Sequence, residues 1–418
     1  THYLVTVNLP RKAGRGLGLI PGLWFIFPCK DGRWIAIAGS QDPRWPGLCR
    51  ALGAEIDEEE RCCTVKGFGR EPSAAEHTVD VGNSGTSLRI GMAVAALAEG
   101  STVFTGDDQI QKRPLQPLID GLNNLGAEVK SVRGNGMAPV EVKGPMRGGR
   151  TEIDAVTSQF LSALLLSCPL ASDSSEIVVT RLNERPYVDM TLWWLDNQGV
   201  SYEWDEDYTR FHVAGAQEYR PFSMAVPADF SSATFFVVLA AVTGGEVVFE
   251  NLDMNDPQGD KEVLRIIEEM GAEVEEETGR VTVRGAGLQG MEVDMNAIPD
   301  ALPAMAVAGC FAEGETRLLN VPQARLKETD RIRVMHDELR KMGADITELE
   351  DGLIVRRSEL KGCLLRGYGD HRVVMALAVA GLASKGETVV DTAEAVKVTF
   401  PNFVELVSSC GGDIEISE

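Results

Sequence analysis

The chain has 418 residues, and its 63 acidic against 40 basic side chains give a formal net charge of −23 at pH 7. A chain of this length exceeds one ordinary hydrophobic core, so two domains are expected. The acidic balance argues against nucleic acid or an anionic membrane as a partner, but it permits a locally basic site for a small anion.

Three further features narrow the class of protein. No apolar run approaches the roughly 20 residues that a membrane span requires. The first residues lack the basic and then apolar segments of a secretory signal, and the eight cysteines are scattered without metal-ligand spacing. We therefore expect a cytoplasmic protein that keeps its thiols reduced and binds no metal.

An apolar residue followed by Gly-Ala-Glu, or a close variant, recurs six times along the chain. The successive glycines are 73, 73, 72, 72 and 69 residues apart, at Gly53, Gly126, Gly199, Gly271, Gly343 and Gly412. Each phrase follows an amphipathic stretch and precedes a β-rich one, and glycine is the residue that most readily ends a helix in the left-handed conformation. This period predicts six copies of one supersecondary unit.

A second motif recurs in step with the first. Small polar or acidic residues typical of helix N-caps precede long, alanine-rich apolar stretches, at 82–86, 157–159, 229–232, 299–300 and 369–372. Their near-uniform apolarity predicts buried helices. Each unit should therefore contain one buried helix, one surface helix and several strands, in the order βαβαββ.

The six units divide into three plus three. The segment 219–227, between the third and fourth units, is the best candidate for a boundary. We predict an N-terminal domain of residues 14–226 and a C-terminal domain of residues 227–418 that also takes residues 1–13. The second domain is discontinuous because the first strand can pair with the second half of the chain.

Polar residues cluster where the buried helices begin, and the first turn of a helix attracts anions through its unpaired N–H groups and its dipole. Arg113, Arg331 and Arg372 all stand at or near predicted helix starts. An arginine there opposes the dipole, and a local salt bridge, such as Arg331 with Asp330, is one explanation for any single case. Three arginines in register with the repeat favour a bound phosphate or carboxylate.

Three titratable residues are candidates for acid–base chemistry. Asp300 precedes an apolar run, where it is either a helix cap or a general base. Glu328 lies between Lys327 and Thr329 in a charged segment, where its ordinary role is part of a solvated helix face. His371 stands at a helix start and has no other sign of function. None of these residues defines a reaction alone.

Nine pieces of the sequence match one family in order and at family-like spacing. They are GNSGTSLR at 82–89, KRPLQPLIDGLNNLGAEV at 112–129, TSQFLSALLL at 157–166, RPYVDMTL at 185–192, ADFSSATFF at 228–236, NAIPDALPAMA at 296–306, ARLKETDRI at 324–332, GDHRVVMALA at 369–378 and TFPNF at 399–403. The chain resembles the 5-enolpyruvylshikimate-3-phosphate synthase family of enolpyruvyl transferases.

The resemblance implies an α/β fold of the inverse-barrel type, with two domains of three βαβαββ units in pseudo-threefold symmetry. It implies transfer of the enolpyruvyl group from phosphoenolpyruvate to the 5-hydroxyl of shikimate 3-phosphate, by addition and then elimination of phosphate. It also implies a monomer without a metal or redox cofactor. The N-terminal domain would hold the acceptor-side residues and the C-terminal domain the phosphoenolpyruvate-side residues.

The resemblance also implies individual roles. Phosphoenolpyruvate would be held by Arg113, Arg331 and Arg372, with Gly85 close to it. The other substrate-binding residues would be Asn83, Thr86, Thr157, Ser158, Gln159, Tyr187, Gln323 and Lys327. Of these, Thr157 and Ser158 would bind the acceptor's phosphate, Gln159 would lie between the substrates, and Lys327 and Gln323 would line the acceptor site. The catalytic residues would be Asp300 for the hydroxyl proton, Glu328 at the methylene carbon, His371 and Lys12.

The beginning of the chain departs from the family. The family's P-G-S-K-S-x-S-x-R motif is absent, and the repeat predicts that it should lie near residue 13. Lys12 and Arg15 are the available stand-ins for its lysine and arginine. Glycines and a proline within 14–22 disfavour the buried helix expected there, since each interior glycine costs about 1 kcal/mol relative to alanine.

Three later positions also differ. Glu184 stands where the family usually has a phosphate-binding serine, and a carboxylate there repels a phosphate unless a cation compensates. Ile90 replaces a common proline, and Val398 stands where lysine is frequent. These differences concern the acceptor more than phosphoenolpyruvate.

Two alternatives remain open at this stage. One is a carboxyvinyltransferase that uses a different hydroxyl acceptor, and the other is a non-catalytic relative that binds ligands. The cell-wall enolpyruvyl transferases are disfavoured because the chain has no cysteine between residues 82 and 125.

Overall fold

The computed structural model describes residues 4–8, 25–27, 35–37, 44–59, 62–224 and 226–417. These residues form two compact units. The N-terminal unit contains the described residues between 25 and 224, and the C-terminal unit contains residues 4–8 and 226–417. The predicted boundary between residues 13 and 14 falls outside the described ranges and stays a prediction.

Helices and strands alternate through most of the chain. The helices are α1 (Arg44–Ala51), α2 (Gly85–Ala95), α3 (Gln116–Asn124), α4 (Ser158–Ser167), α5 (Arg185–Gln198), α6 (Phe230–Thr243), α7 (Glu262–Glu269), α8 (Leu302–Phe311), α9 (Arg331–Lys341), α10 (His371–Ala383) and α11 (Phe403–Ser409). The strands are β1 (Leu4–Asn8), β2 (Phe25–Phe27), β3 (Ile35–Ile37), β4 (Glu55–Glu59), β5 (Cys62–Lys66), β6 (Val79–Asp80), β7 (Gly100–Thr105), β8 (Glu128–Ser131), β9 (Val140–Gly144), β10 (Gly149–Ala155), β11 (Ser175–Leu182), β12 (Tyr202–Trp204), β13 (Arg210–Val213), β14 (Glu246–Glu250), β15 (Glu273–Glu277), β16 (Arg280–Arg284), β17 (Glu292–Asp294), β18 (Glu315–Leu319), β19 (Asp345–Leu349), β20 (Gly352–Arg356), β21 (Leu364–Leu365), β22 (Thr388–Val390) and β23 (Asp413–Ser417).

Consecutive elements form the predicted βαβαββ unit. In β17–α8–β18–α9–β19–β20, strands β17 and β18 are parallel, and β20 lies antiparallel between β18 and β19. The same order recurs in the sheets β6-β7-β9-β8 and β10-β11-β13-β12 of the N-terminal unit. The prediction of a repeated α/β unit is therefore confirmed.

Strand β1 completes the last sheet of the C-terminal unit, whose order is β21-β22-β1-β23. It lies antiparallel to both neighbours, with Val5 opposite Val390 on one side and Ile416 on the other. The chain therefore supplies the final strand of its last repeat from its beginning, which is the pairing that a discontinuous C-terminal unit requires.

The buried helices lie inside each unit and contact one another, α2 with α4 and α6 with α8 and α10. Every residue of α8 from Leu302 to Cys310 is buried, which explains why no polar face is visible in its sequence. The described strands form sheets of two to four strands around these helices. In the part of the chain that the structure describes, no helix is long and apolar enough to cross a membrane.

Glycines of the repeat end the surface helices as predicted. Gly126 follows α3 and Gly343 follows α9, with φ angles of +97° and +98°. The sixth position needs a correction, because the left-handed residue after α11 is Gly411, with φ +89°, and not Gly412. A Cβ atom at Gly412 would instead lie only 2.6 Å from Cγ1 of Val407. Close packing, rather than helix termination, therefore requires that second glycine.

Candidate active site

Six charged side chains of the C-terminal unit meet where α8, α9 and α10 begin. Asp300 lies in the 3-10 turn Pro299–Ala301 just before α8, and Arg331 is the first residue of α9. Asp370 caps α10 by accepting from the backbone N–H groups of Arg372 and Val373. We call Asp300, Lys327, Glu328, Arg331, Asp370 and Arg372 the charge cluster.

Arg331 is the centre of the charge cluster and is only 1% exposed. Its Nε and Nη2 donate to the two oxygens of Asp370 at 2.9 and 3.1 Å. Its Nη1 donates to Asp300 Oδ1 at 2.8 Å, and Nη2 also donates to Glu328 Oε2 at 2.5 Å. The guanidinium therefore joins three carboxylates from three separate segments of the chain.

The sequence offered a local salt bridge for Arg331, and Arg331 does pair with a nearby carboxylate, but that carboxylate is Glu328 and not Asp330. Asp330 caps α9 by accepting from the Arg333 backbone N–H at 3.1 Å, and it pairs with Arg325 at 2.7 Å. Adjacent residues at a helix start point in different directions, so Arg331 turns inward while Asp330 stays at the helix end.

Asp300 pairs with three cations instead of capping α8. Its carboxylate lies 2.8 Å from Arg331 Nη1, 3.3 Å from Arg372 Nη2 and 3.4 Å from Lys327 Nζ, and α8 has no side-chain cap. Burial raises the pKa of Asp300, but the positive charges of Arg372, Lys327 and Arg331 outweigh it and hold that pKa well below the usual range. Asp300 is therefore ionised at neutral pH.

His371 is neutral at physiological pH. Burial lowers the pKa of its imidazole to about 4, although Glu328 and Asp370 act in the opposite direction. The side chain is buried at the first position of α10. A neutral imidazole avoids unfavourable interaction with the dipole at this helix start, and it can both donate and accept a hydrogen bond.

We expect His371 to make the protein less stable as the pH falls. The unfolded chain binds a proton at His371 near pH 6.5, whereas the folded chain binds it only near pH 4. The contribution of His371 to the free energy of unfolding is therefore largest above pH 6.5 and declines toward pH 4, by up to ~1.4 kcal/mol per pH unit. Urea unfolding at pH 7, 6 and 5 should show this loss in the wild type and a smaller loss in His371→Gln. The exposed His212→Gln serves as control. A His371→Gln effect that is equal at all three pH values would contradict the expectation.

The charge cluster is balanced, with three cations and three carboxylates. Lys327 and Arg372 are 18% and 11% exposed at their side chains, whereas Arg331 is 1% exposed. Lys327 and Arg372 are therefore the cations that a ligand reaches first, and Arg331 holds the carboxylates behind them. Across the described ranges, no three histidine, cysteine, aspartate or glutamate side chains lie where they could hold a metal ion.

Gln323 also lies in the C-terminal unit, in the 3-10 segment Pro322–Leu326. It is 2% exposed, and its Nε2 donates to the Asn296 carbonyl at 3.2 Å. Its Oε1 has no hydrogen-bond partner among the described residues. A buried acceptor without a donor is costly, so this oxygen is suited to a hydroxyl supplied by a ligand.

In the N-terminal unit, two arginines lie against the start of α2. Arg113 Nη2 donates to Asn83 Oδ1 at 2.7 Å, and Arg89 Nη1 donates to Gln159 Oε1 at 2.6 Å. A Cβ atom at Gly85 would lie 2.4 Å from Arg89 Nη1 and 2.8 Å from Arg113 Nη1. Both guanidinium groups therefore approach the helix backbone closely at Gly85, and a side chain there would displace their ends.

Arg89 lies against Gln159 and Gly85, and the sequence prediction did not include it. It lies inside the matched piece GNSGTSLR, is 5% exposed, and stacks over Phe160 with its guanidinium carbon 5.3 Å from the ring centroid. Gln159 links it to Thr86, because Gln159 Nε2 donates to Thr86 Oγ1 at 2.9 Å. Its placement in the first helical turns, one turn after Gly85, was the signal available.

At the start of α4, the carboxylate of Glu184 accepts hydrogen bonds from the donors of the first helical turn. Glu184 Oε2 accepts from the Ser158 backbone N–H at 3.1 Å, from Ser158 Oγ at 2.8 Å and from Thr157 Oγ1 at 3.1 Å. Glu184 is 1% exposed and has a left-handed backbone, with φ +60°. We call these donors of Thr157 and Ser158 the α4 anion site. Tyr187 is half-buried in the first turn of α5, which follows Glu184.

The structure thus brings the predicted residues together in two groups, one in each unit. Asp300, Lys327, Glu328, Arg331 and Arg372 form one, with His371 beside them. The N-terminal group comprises Asn83, Gly85, Thr86, Arg113, Thr157, Ser158 and Gln159. Lys12 and Arg15 lie outside the described residues.

Comparison with known proteins identifies the family of the chain. The model of the EPSP synthase (3-phosphoshikimate 1-carboxyvinyltransferase) family matches residues 44–407. A protein of Acetivibrio thermocellus named 3-phosphoshikimate 1-carboxyvinyltransferase is 63% identical over 371 residues, which are 89% of this chain and 88% of that protein. One of the same name from Ruminiclostridium cellulolyticum is 57% identical over 369 residues, 88% of this chain and 87% of that protein.

A solved structure is similar throughout. EPSP synthase from Acinetobacter baumannii superimposes with a TM-score of 0.80 at 26% identity, over the whole of both chains. The repeated βαβαββ units described above agree with this likeness. The chain belongs to the EPSP synthase family. The family match begins at residue 44, so the segment that lacks the expected lysine motif lies outside it.

Proposed function

We propose that the chain transfers the enolpyruvyl group from phosphoenolpyruvate to the 5-hydroxyl of shikimate 3-phosphate and releases phosphate, in aromatic amino-acid biosynthesis. The observation that carries this proposal is the charge cluster, where Asp300 lies within 3.4 Å of Lys327, Arg331 and Arg372. Such a cluster provides cations for a doubly charged three-carbon acid and a carboxylate for the attacking hydroxyl. Family membership gives the reaction, and the residue roles below are proposals.

Phosphoenolpyruvate would bind to Lys327 and Arg372, the more exposed cations of the charge cluster, with Arg331 behind them. Its negative charges would weaken the positive field that holds the pKa of Asp300 down. Substrate binding would therefore make Asp300 a stronger base at the moment when a proton must be removed.

In the addition step, the oxygen of the acceptor hydroxyl would bond to C2 of phosphoenolpyruvate while Asp300 takes the proton of that hydroxyl. C3 would gain a proton delivered from the side of Glu328. In the elimination step, the C2–O bond to phosphate would break and C3 would lose a proton, which restores the double bond. His371, neutral and close to Glu328 and Asp370, would be a proton donor or acceptor beside these groups. Gln323 would offer its buried Oε1 to an acceptor hydroxyl.

Release of phosphate from phosphoenolpyruvate by the purified protein tests the proposal. We expect release only when shikimate 3-phosphate is present, in equal amount to the enolpyruvyl product. Turnover with another alcohol alone would favour a transferase with a different acceptor, and no turnover with any acceptor would favour a non-catalytic relative.

We further propose that the chain acts as a monomer in the cytoplasm. Sedimentation of the purified protein tests the oligomeric state.

Arg372→Ala is expected to weaken phosphoenolpyruvate binding strongly, with KM raised by roughly 10- to 100-fold for the loss of a charge-assisted contact. The melting temperature should change little, because Arg372 is partly exposed and its ion pair with Asp300 spans 3.3 Å, longer than the 2.8 Å between Arg331 and Asp300. Steady-state kinetics and thermal unfolding measure both effects. A large loss of stability with an unchanged KM would show a structural role, and Arg366→Ala, also close to α10 in sequence, is the control.

A further inference from the structure

The Glu184 carboxylate occupies the position in which an anion would bind at the start of α4. Three donors surround one of its oxygens, the Ser158 N–H, the Ser158 hydroxyl and the Thr157 hydroxyl, at 2.8 to 3.1 Å. A backbone N–H at a helix start together with two hydroxyls is a set of donors suited to an anionic oxygen. The chain therefore supplies its own anion to this site.

The backbone at Glu184 has an uncommon conformation. Its φ of +60° is unfavourable for a residue with a side chain, and Glu184 is followed directly by Arg185 and Pro186 at the start of α5. A strained conformation persists only where surrounding contacts hold it. The hydrogen bonds of the carboxylate to the α4 anion site are contacts of that kind, and release of the carboxylate would allow the backbone to relax.

We propose that Glu184 is a displaceable internal anion that lowers the affinity of the α4 anion site for the acceptor's phosphate, and so determines acceptor binding. This inference rests on the proposed function, in which Thr157 and Ser158 bind that phosphate. The donors of the α4 anion site serve either Glu184 or the ligand, and two negative charges in one buried site repel each other. The acceptor binds the fraction of molecules in which Glu184 has left, and its apparent affinity is reduced by that fraction.

Two variants separate the charge from the side chain. Glu184→Gln keeps the shape and removes the charge, whereas Glu184→Gly removes the side chain and adopts a positive φ without strain. The exposed Glu152→Gln, on β10 of the same unit, removes one negative charge elsewhere and serves as control. Affinity is measured by calorimetric titration with shikimate 3-phosphate and, separately, with inorganic phosphate.

We expect both Glu184 variants to bind inorganic phosphate and shikimate 3-phosphate at least tenfold more tightly than the wild type, with the larger gain in Glu184→Gly. The KM for phosphoenolpyruvate should stay within twofold, and Glu152→Gln should behave as the wild type. Unchanged or weaker affinity for both ligands in Glu184→Gly would overturn the proposal. If Glu184→Gln does not fold, Glu184→Gly decides alone.

The titrations also distinguish this inference from the proposed function. If neither the wild type nor any variant forms product from shikimate 3-phosphate, the proposed function fails. The titration with inorganic phosphate does not depend on turnover, so a tenfold gain in Glu184→Gly would still support a displaceable anion at the start of α4. An equal affinity would overturn it in that case too.

Discussion

Asp300→Ala is expected to lower kcat by roughly 10²- to 10⁴-fold, the range for removal of a general base. Asp300 is the carboxylate on which Lys327, Arg331 and Arg372 converge in the C-terminal unit. Without it, no group at that position can take the proton of the attacking hydroxyl. Single-turnover and steady-state measurements of phosphate release give kcat and the KM for each substrate.

The same variant should bind phosphoenolpyruvate at least as tightly as the wild type. Removal of the carboxylate leaves three cations whose charge is available to an anionic ligand. Asp300→Glu keeps the charge but moves it by one methylene, so we expect it to retain the wild-type KM and to lose much of kcat. A raised KM for phosphoenolpyruvate with an unchanged kcat in Asp300→Ala would contradict a role in proton transfer.

The second large effect concerns stability. Arg331→Ala is expected to lower the free energy of unfolding of the C-terminal unit by roughly 3 to 5 kcal/mol, the usual cost of breaking a buried ion pair from one side. The variant leaves Asp370, which is 0% exposed, together with Asp300 and Glu328 without the guanidinium that joins them. The free energy of unfolding of Arg331→Lys should lie between those of the wild type and Arg331→Ala. A lysine keeps the positive charge, but one ammonium group cannot replace a guanidinium that bonds three carboxylates.

Urea unfolding followed by far-ultraviolet circular dichroism measures this loss. The last tryptophan of the sequence is Trp204, so residues 226–417 of the C-terminal unit contain none, and tryptophan emission is an internal reference. Arg333→Ala is the matched control on α9, because Arg333 is 70% exposed and its ion pair with Asp337 spans 3.9 Å; its expected effect is within ~0.5 kcal/mol. An Arg331→Ala unfolding curve that coincides with that of the wild type would exclude the structural role.

The two experiments together separate the proposed catalytic role of Asp300 from the proposed structural role of Arg331 in the charge cluster. Asp300 and Arg331 are bonded to each other at 2.8 Å, yet we expect the first to act mainly on kcat and the second mainly on folding. The expected difference follows from solvent exposure, since the Asp300 side chain is 21% exposed and that of Arg331 is 1% exposed.

The repeat is what sequence reasoning predicted best. The period of the glycine phrases predicted the ends of the surface helices, and the apolar stretches predicted α2, α4, α6, α8 and α10. Both features are local, because a left-handed helix end and an all-apolar helix depend on the types of residues that are adjacent in the sequence. The error at the sixth glycine, Gly412 for Gly411, arose because two glycines adjoin and only backbone geometry distinguishes them.

By itself, the sequence determined the repeated α/β unit, the buried helices and the family, because these depend on spacing and on residue type at nearby positions. Only the tertiary structure decided which charges meet. Arg331 bonds Asp300 and Asp370, which are 31 and 39 residues away, and Glu184 reaches the start of α4 26 residues before it. Such pairings depend on which helix starts the folded sheets bring side by side, and no local pattern of residues encodes that.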